Sequence, residues 1–370
     1  MRILQVLPAL YSGGVERGTV EFAAELVKRG HESFVLSSGG PMVGQLEREG
    51  SSHITMPVHR KSVVSLRQVR PMRELLRQLR PDVIHIRSRM PAWITWMAWK
   101  GLPEDRRPVL VSTFHGMYSV NPYSAVMARA QHVIAVSTCV KDYVLSNFSV
   151  DPEKLTVIER GVDVAGFRER TLNSGWLDTL LQEHPQLRGK RIIMMPGRIS
   201  RWKGHALFLK AMNTIIRARP DCHGIVIGGV EPGKDRFMKE LKAQQRALGL
   251  EQAVTFLGQR SDIAEFYLLS SLVCHMSTKP EPFGRTVTEA LASGTPVVAF
   301  DRGGAGETLQ ACFPAGLVEP DNTEAFARKV LELIDKTDHQ IMLPGRFHLE
   351  NQASATLEVY QDLLRQRREE

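Results

Sequence analysis

The 370-residue chain contains only four cysteines, Cys139, Cys222, Cys274 and Cys312. Their wide separation excludes a disulfide framework and the close spacing of a structural zinc site, so a reducing compartment is expected. No apolar run approaches the ~20 residues that cross a bilayer. The opening MRILQVLPALYSGG has one early Arg and a short apolar run. It lacks the longer apolar stretch and small-residue cleavage pattern of a secretory leader, and is expected to form a buried first strand. GxGxxG, GxxxxGK[ST] and the metal-holding D-x-D are all missing, which leaves no dinucleotide fingerprint, no P-loop and no expected metal. There is no RNP-like aromatic pattern or recognition helix, so nucleic acid is not an expected partner.

What remains is ordinary soluble composition, 43% hydrophobic and 24% charged, in a chain long enough for two domains with separate cores. The net charge of +8 is uneven: residues 1–170 hold 23 Lys and Arg against 16 Asp and Glu, while the remainder is nearly balanced. A basic half attracts an anionic partner.

Short apolar runs alternate with helical patterns. Strands are expected at Arg2–Leu7, Ser33–Ser37, Asp82–Ile86, Val109–Thr113, His132–Val136 and Thr156–Ile158, with helices such as Val15–Arg29 and Thr138–Phe148 between them. Residues 164–190 show no strand signal and read as a linker with a short helix. Alternation resumes with strands at Arg191–Met195, Gly224–Ile227, Val254–Leu257, Leu272–His275 and Pro296–Ala299, and with helices from Gly204, Lys234, Asp262 and Phe283. Gln352–Arg367 reads as an amphipathic terminal helix. Such alternation predicts two parallel α/β units, whose ligands bind at the carboxyl ends of the strands.

Four segments carry candidate chemistry. In KPEPFGRTVTEALASGTPVVAF, Glu281 and Glu289 flank a turn, Pro282–Gly284, that enters a helix. Amides near Phe283 and Gly284 are then available to an anion. Two glutamates at this spacing also describe a capped surface helix. In PGRISRWKGH, Arg198 and Lys203 stand between a strand and a helix, where charge and dipole both favour phosphate. Ordinary basic loop residues are the alternative. Gly13 and Gly14 in ALYSGGVERG allow close backbone approach, or only a tight turn. His115, in VSTFHGMY, follows a strand end; a lone histidine there is as readily structural.

The ordered set GGVER, FHG, RGVD, GRISRWKG, FLGQRSD and EPFGRTVTEALASGTPVVA covers nearly the whole chain. It resembles the retaining GT-B glycosyltransferases of family four. HIRSRMPAWITWMAW, STFHGMY and YSAVMARAQHVIAVS are further similar to enzymes that build the lipopolysaccharide core. The resemblance implies two Rossmann-like domains facing across a cleft: an acceptor-binding domain over 1–168, a nucleotide-sugar-binding domain over 185–350, and a C-terminal helix, 351–370, returning to the first domain. It implies that Arg198 and Lys203 hold the donor diphosphate. Glu289 would bind the ribose, and Glu281 the donor sugar hydroxyls beside the Phe283 and Gly284 amides. His115 would lie at the sugar O6 and acceptor side. Gly13 and Gly14 would close over the phosphates, and the backbone at Gln259 and Arg260 would contact the base. Glu307, in DRGGAGE, stands where the family often has a PE or AE dipeptide, and Thr286 and Thr288 stand where small or apolar residues are common.

The implied activity is hexose transfer from a nucleotide sugar, UDP-glucose first and GDP-mannose second, to a lipid-linked or phosphorylated glycan acceptor. No cofactor or metal is expected. A nucleotide-sugar epimerase would need acid/base residues in place of the E-x7-E pattern. A non-catalytic glycan-binding protein would not need all of Arg198, Lys203, Glu281 and Glu289. Finally, Arg67, Arg70, Arg73, Arg77 and Arg80 recur at helical steps, followed by Trp93, Trp96 and Trp99. This pattern predicts an interfacial contact with an anionic membrane, placing a cytoplasmic protein at the inner face of the cytoplasmic membrane. Tryptophans packed on the sheet are the competing reading.

Overall fold

The computed structural model describes the chain except Ser12, Glu231, Pro232, Lys234 and Glu370. It divides into two compact units, Met1–Gly161 with Leu349–Glu370, and Val162–His348.

The first unit contains β1 (Arg2–Val6), β2 (Glu32–Ser37), β3 (Ser52–Thr55), β4 (Val83–Ile86), β5 (Val109–Phe114), β6 (His132–Ala135) and β7 (Leu155–Val157). They form one sheet in the order β3-β2-β1-β4-β5-β6-β7, every pairing parallel. All residues of β4 and β5 are buried, as expected for strands covered on both faces. The helix Leu349–Glu369 belongs to this unit. Its Ala353, Leu357 and Tyr360 join a core with Ile3, Phe22, Leu26, Val83, Val109, Val111, Ile134 and Ile158. Burying each large apolar side chain there contributes about 1.5–3 kcal/mol, which ties the chain's end to its beginning.

The second unit contains β8 (Arg191–Pro196), β9 (Cys222–Ile227), β10 (Val254–Gly258), β11 (Leu272–His275), β12 (Val297–Phe300) and β13 (Leu317–Val318). Their order is β10-β9-β8-β11-β12-β13, again parallel. In both sheets the chain reverses its direction of strand addition beside the first strand, at β1/β4 and at β8/β11. Loops leaving the carboxyl ends of those strands therefore flank a crevice where ligands of such sheets bind.

Two strands have no counterpart in the sequence reading. β3 has no fully buried residue, so it carries no apolar signature, and β13 is two residues long. The boundary falls at Gly161, ahead of the expected 168. The helix Val164–Arg168 groups with the second unit, where the Phe167 ring meets Tyr267 edge-on at 6.3 Å. The segment read as a linker holds a second helix, Ser174–Glu183, whose Trp176 packs on Phe266 at 4.9 Å. The helix expected from Lys234 is described from Asp235 to Ala247, Lys234 itself lying outside the described residues.

Candidate active site

In the second unit the loops after β8 and β11 meet. After β8, a short turn over Arg201–Lys203 ends at Gly204, with φ of +84°. A Cβ on Gly204 would lie 2.0 Å from the Met276 carbonyl oxygen, so only glycine permits this approach. The Thr278 amide donates to the Trp202 carbonyl at 2.7 Å. These contacts bring Lys203 onto Glu281: Nζ to Oε1 is 2.5 Å. Ser277 Oγ also donates to Oε1, and His275 Nε2 lies 2.9 Å from it.

The Glu281 carboxylate is 6% exposed. Burial alone would push its pKa up, but His275 and Lys203 hold it well below the ordinary carboxylate range. Glu281 is thus an anion at any working pH, paired with a lysine whose side chain is 17% exposed. Lys203 is thus not an ordinary solvated loop residue. Arg198 lies exposed on the same loop.

Glu289 stands one turn into the helix Arg285–Ala292, capped by Gly284 at φ +85°. A Cβ on Gly284 would sit 2.7 Å from that of Ala305. The alternative of a capped surface helix would leave Glu289 solvated, but it is 3% exposed. Arg285 Nε donates to its Oε1 at 2.7 Å and Tyr267 donates to Oε2 at 3.0 Å. Arg285 is an i,i+4 partner, visible in principle from spacing; Tyr267 is visible only in the fold. Phe283 is buried against Phe347, so what it presents is backbone.

Gln259 and Arg260 follow β10 at the sheet's edge. Arg260 grips Asp262 with two hydrogen bonds, of 2.9 and 2.6 Å, and Trp176 donates to the same carboxylate at 2.6 Å. The Arg260 side chain is thus held at Asp262 and not at Lys203 or Glu281.

In the first unit Gly13 caps the helix Gly14–Lys28. A Cβ on Gly14 would lie 3.0 Å from an Arg160 nitrogen. Arg160, in the RGVD turn after β7, donates to His115 Nδ1 at 2.8 Å. A guanidinium only donates, so Nδ1 accepts and Nε2 carries the proton. Burial, then the charges of Arg160 and Arg87, push the His115 pKa well below its ordinary value. His115 is neutral, with an Nε2–H that has no hydrogen-bond partner among the described residues. Sequence reasoning named the RGVD turn but missed this role.

The expected membrane face divides. Arg67, Arg70, Arg77 and Arg80 are exposed, beside exposed Val63 and Val64. Arg73 instead covers Gly101. The tryptophans are half-buried: Trp93 donates to the Tyr123 carbonyl at 2.9 Å and Trp99 to that of Pro108 at 2.7 Å. Both indole N–H groups are thus turned to carbonyls of the protein outside the strands. No helix among the described residues is long and apolar enough to cross a membrane.

Two parallel Rossmann-like units, the second with a lysine–carboxylate pair at its switch point, match the two-domain architecture expected of GT-B glycosyltransferases. The model of Glycosyltransferase Family 4 matches residues 12–165, and that of glycosyl transferases group 1 matches 178–353. A glycosyltransferase of known structure from Rickettsia africae ESF-5 is 32% identical, covers 98% of both chains and superposes with a TM-score of 0.85. The lipopolysaccharide core biosynthesis mannosyltransferase LpcC of Rhizobium leguminosarum is 31% identical over 56% of this chain and 60% of its own length. Anabaena HepE, solved with UDP and glucose, shares the fold at 24% identity, with a TM-score of 0.76 over 100% of this chain and 98% of its own. The chain belongs to the family-four GT-B glycosyltransferases and resembles lipopolysaccharide core enzymes.

Proposed function

We propose that the protein transfers a hexose from a nucleotide sugar to a lipopolysaccharide core or related envelope glycan, with retention of anomeric configuration. The observation that carries this reading is the Lys203–Glu281 pair at the β8/β11 switch point. Breaking the bond between the sugar and its diphosphate puts growing negative charge on the leaving group and positive charge on the ring. Arg198, Lys203 and the first amides of the helix after Gly284 answer the first. The Glu281 carboxylate, ionised and held by three neighbours, accepts from the sugar hydroxyls. Glu289 serves the ribose, which requires Arg285 to share or yield its oxygen. The backbone at Gln259 and Arg260 receives the base, and the Gly13–Gly14 loop approaches the phosphates.

His115 offers its Nε2–H to a sugar oxygen. Held in this tautomer, it cannot take a proton at Nε2 from the acceptor. The acceptor proton is instead taken by the leaving phosphate on the same face of the sugar, which accounts for retention. This route requires no metal and no cofactor.

UDP-glucose is the first donor expected and GDP-mannose the second. HepE's bound UDP supports the former, and the mannosyltransferase LpcC supports a mannose donor. The basic N-terminal half suits a lipid-linked or phosphorylated acceptor, met by a cytoplasmic protein at the inner membrane face. The test is a panel of nucleotide sugars with purified protein, reading nucleoside diphosphate release and donor-induced thermal shift, with and without EDTA. Absence of any donor response rejects the proposal. Activity abolished by EDTA and restored by Mg²⁺ or Mn²⁺ rejects the metal-free route.

A further inference from the structure

The first unit contains a cationic cluster that the proposed donor chemistry does not use. Arg87 follows β4 directly and is 4% exposed. Among the described residues its one hydrogen bond is to the amide oxygen of Gln5, at 2.6 Å, and its Nε has no partner. No carboxylate lies within ion-pair distance of it among the described residues. A desolvated, uncompensated guanidinium is costly; burial lowers even its pKa, to about 10.

Two residues on, half-buried Arg89 begins the helix Arg89–Lys100. Its guanidinium stacks over Tyr118 at 4.6 Å and Tyr123 at 5.4 Å, and donates to Ser124 Oγ at 3.3 Å. It too has no carboxylate partner among the described residues. The helix has no side-chain cap and no acidic residue in its first turn, so its positive end adds to the field.

These charges converge. The Tyr118 phenol is pushed up by burial and pulled down by the His115 backbone and by Arg89, Arg160 and Arg87. Three arginines therefore act on one side chain beside His115. Aromatic faces hold Arg89 in place without neutralising it, which suits a guanidinium kept ready for an incoming anion.

We propose that Arg89 and Arg87 form an oxyanion subsite at the carboxyl end of β4, which receives a carboxylate or phosphate borne by the acceptor glycan. Arg89 makes the direct contact, in the two-pronged geometry guanidinium groups offer to such anions. Arg87 supplies a buried charge of the same sign. The subsite rests on the acceptor reading above, and restricts it to glycans bearing an acidic group near the hydroxyl to be glycosylated.

The test titrates inorganic phosphate and, separately, glucuronate into the full chain at constant ionic strength, by calorimetry. The protein carries Lys203→Gln, which weakens the donor diphosphate site, so the result does not depend on the donor reading. Saturable binding of one anion is expected, with affinity at least tenfold weaker when Arg89→Gln is added. Arg87→Met is the second variant, and Arg89→Gln keeps the test decisive where loss of the buried arginine unfolds the protein. Saturation by phosphate assigns a phosphorylated acceptor, and saturation by glucuronate a carboxylated one. No saturable binding of either anion, or equal affinity with and without Arg89→Gln, overturns the subsite.

Discussion

Arg160 donates to Nδ1 of His115 at 2.8 Å, and thereby decides which imidazole nitrogen carries the proton. Arg160→Met removes both the donor and a positive charge. The tautomer is then free, and the pKa, depressed by burial and then by Arg160, rises towards its ordinary value. Turnover at neutral pH should fall about tenfold or more, and the acid limb of the rate profile should move to higher pH. Arg160→Lys should restore part of both. An unchanged pH profile in Arg160→Met would assign Arg160 a purely structural role.

Removing either phosphate cation should act on the leaving group. Arg198→Ala and Lys203→Ala should each lower turnover by about 10²-fold or more. Their effects on stability should differ. Arg198 is exposed, and its loss should leave the melting temperature in place. Lys203→Ala strips buried Glu281 of its cation and should lower it measurably. Wild-type turnover in either variant at saturating donor contradicts the clamp.

The two glutamates should separate in binding and turnover. Glu289→Gln weakens a charge-assisted hydrogen bond to ribose, worth about 1.5–3 kcal/mol, and should weaken nucleoside diphosphate binding by roughly ten- to a hundredfold. Glu281→Gln should leave that affinity nearly intact and reduce turnover. Calorimetry with the bare nucleoside diphosphate checks the division, which equal losses would refute.

Acid should destabilise the fold through buried histidines. Burial lowers the pKa of His205 and of His223 to about 4. Between their ordinary value of 6.5 and about 4 the unfolded chain binds protons that the folded chain refuses. Stability therefore falls as pH drops through this window, by roughly 2 kcal/mol per histidine at pH 5. The Glu281 pKa is also shifted down: its ionised form stabilises the fold, and that contribution is complete above the ordinary carboxylate range and lost only in stronger acid. Urea unfolding at pH 7.5 and 5 tests this, and His223→Asn should flatten the dependence.

Membrane association, if it operates through the basic helix, uses the exposed arginines. Co-sedimentation with vesicles of graded anionic lipid should increase with anionic content and weaken with salt. Arg67, Arg70 and Arg77 changed together to Ser should reduce it. Arg73 is a poor choice because it packs against Gly101. No binding to strongly anionic vesicles at low salt rejects the association.

Much of the architecture was legible from periodicity. β4, β5, β9, β11 and β12 are legible because strands buried on both faces are mostly apolar, broken here only by His85, Ser112, Thr113, His223 and His275. β3 escaped because an edge strand needs no such pattern. Arg198, Lys203, Glu281, Glu289 and His115 are singled out by the resemblance to the family, because each taken alone is as readily an ordinary structural residue. Their partners are not. Tyr267 and Glu289 are 22 residues apart, Arg160 and His115 are 45, and Lys203 and Glu281 are 78. Local spacing carries no information about such pairs, because the sheet order alone decides which loops meet. The sequence by itself determined the alternation, the charged loops and the family. Only the tertiary structure decided that Lys203 neutralises Glu281, that Arg285 and Tyr267 occupy Glu289, and that His115 presents a proton. Each follows from which strand ends the parallel sheets place side by side, and from burial that leaves a charged or polar group no solvent to fall back on.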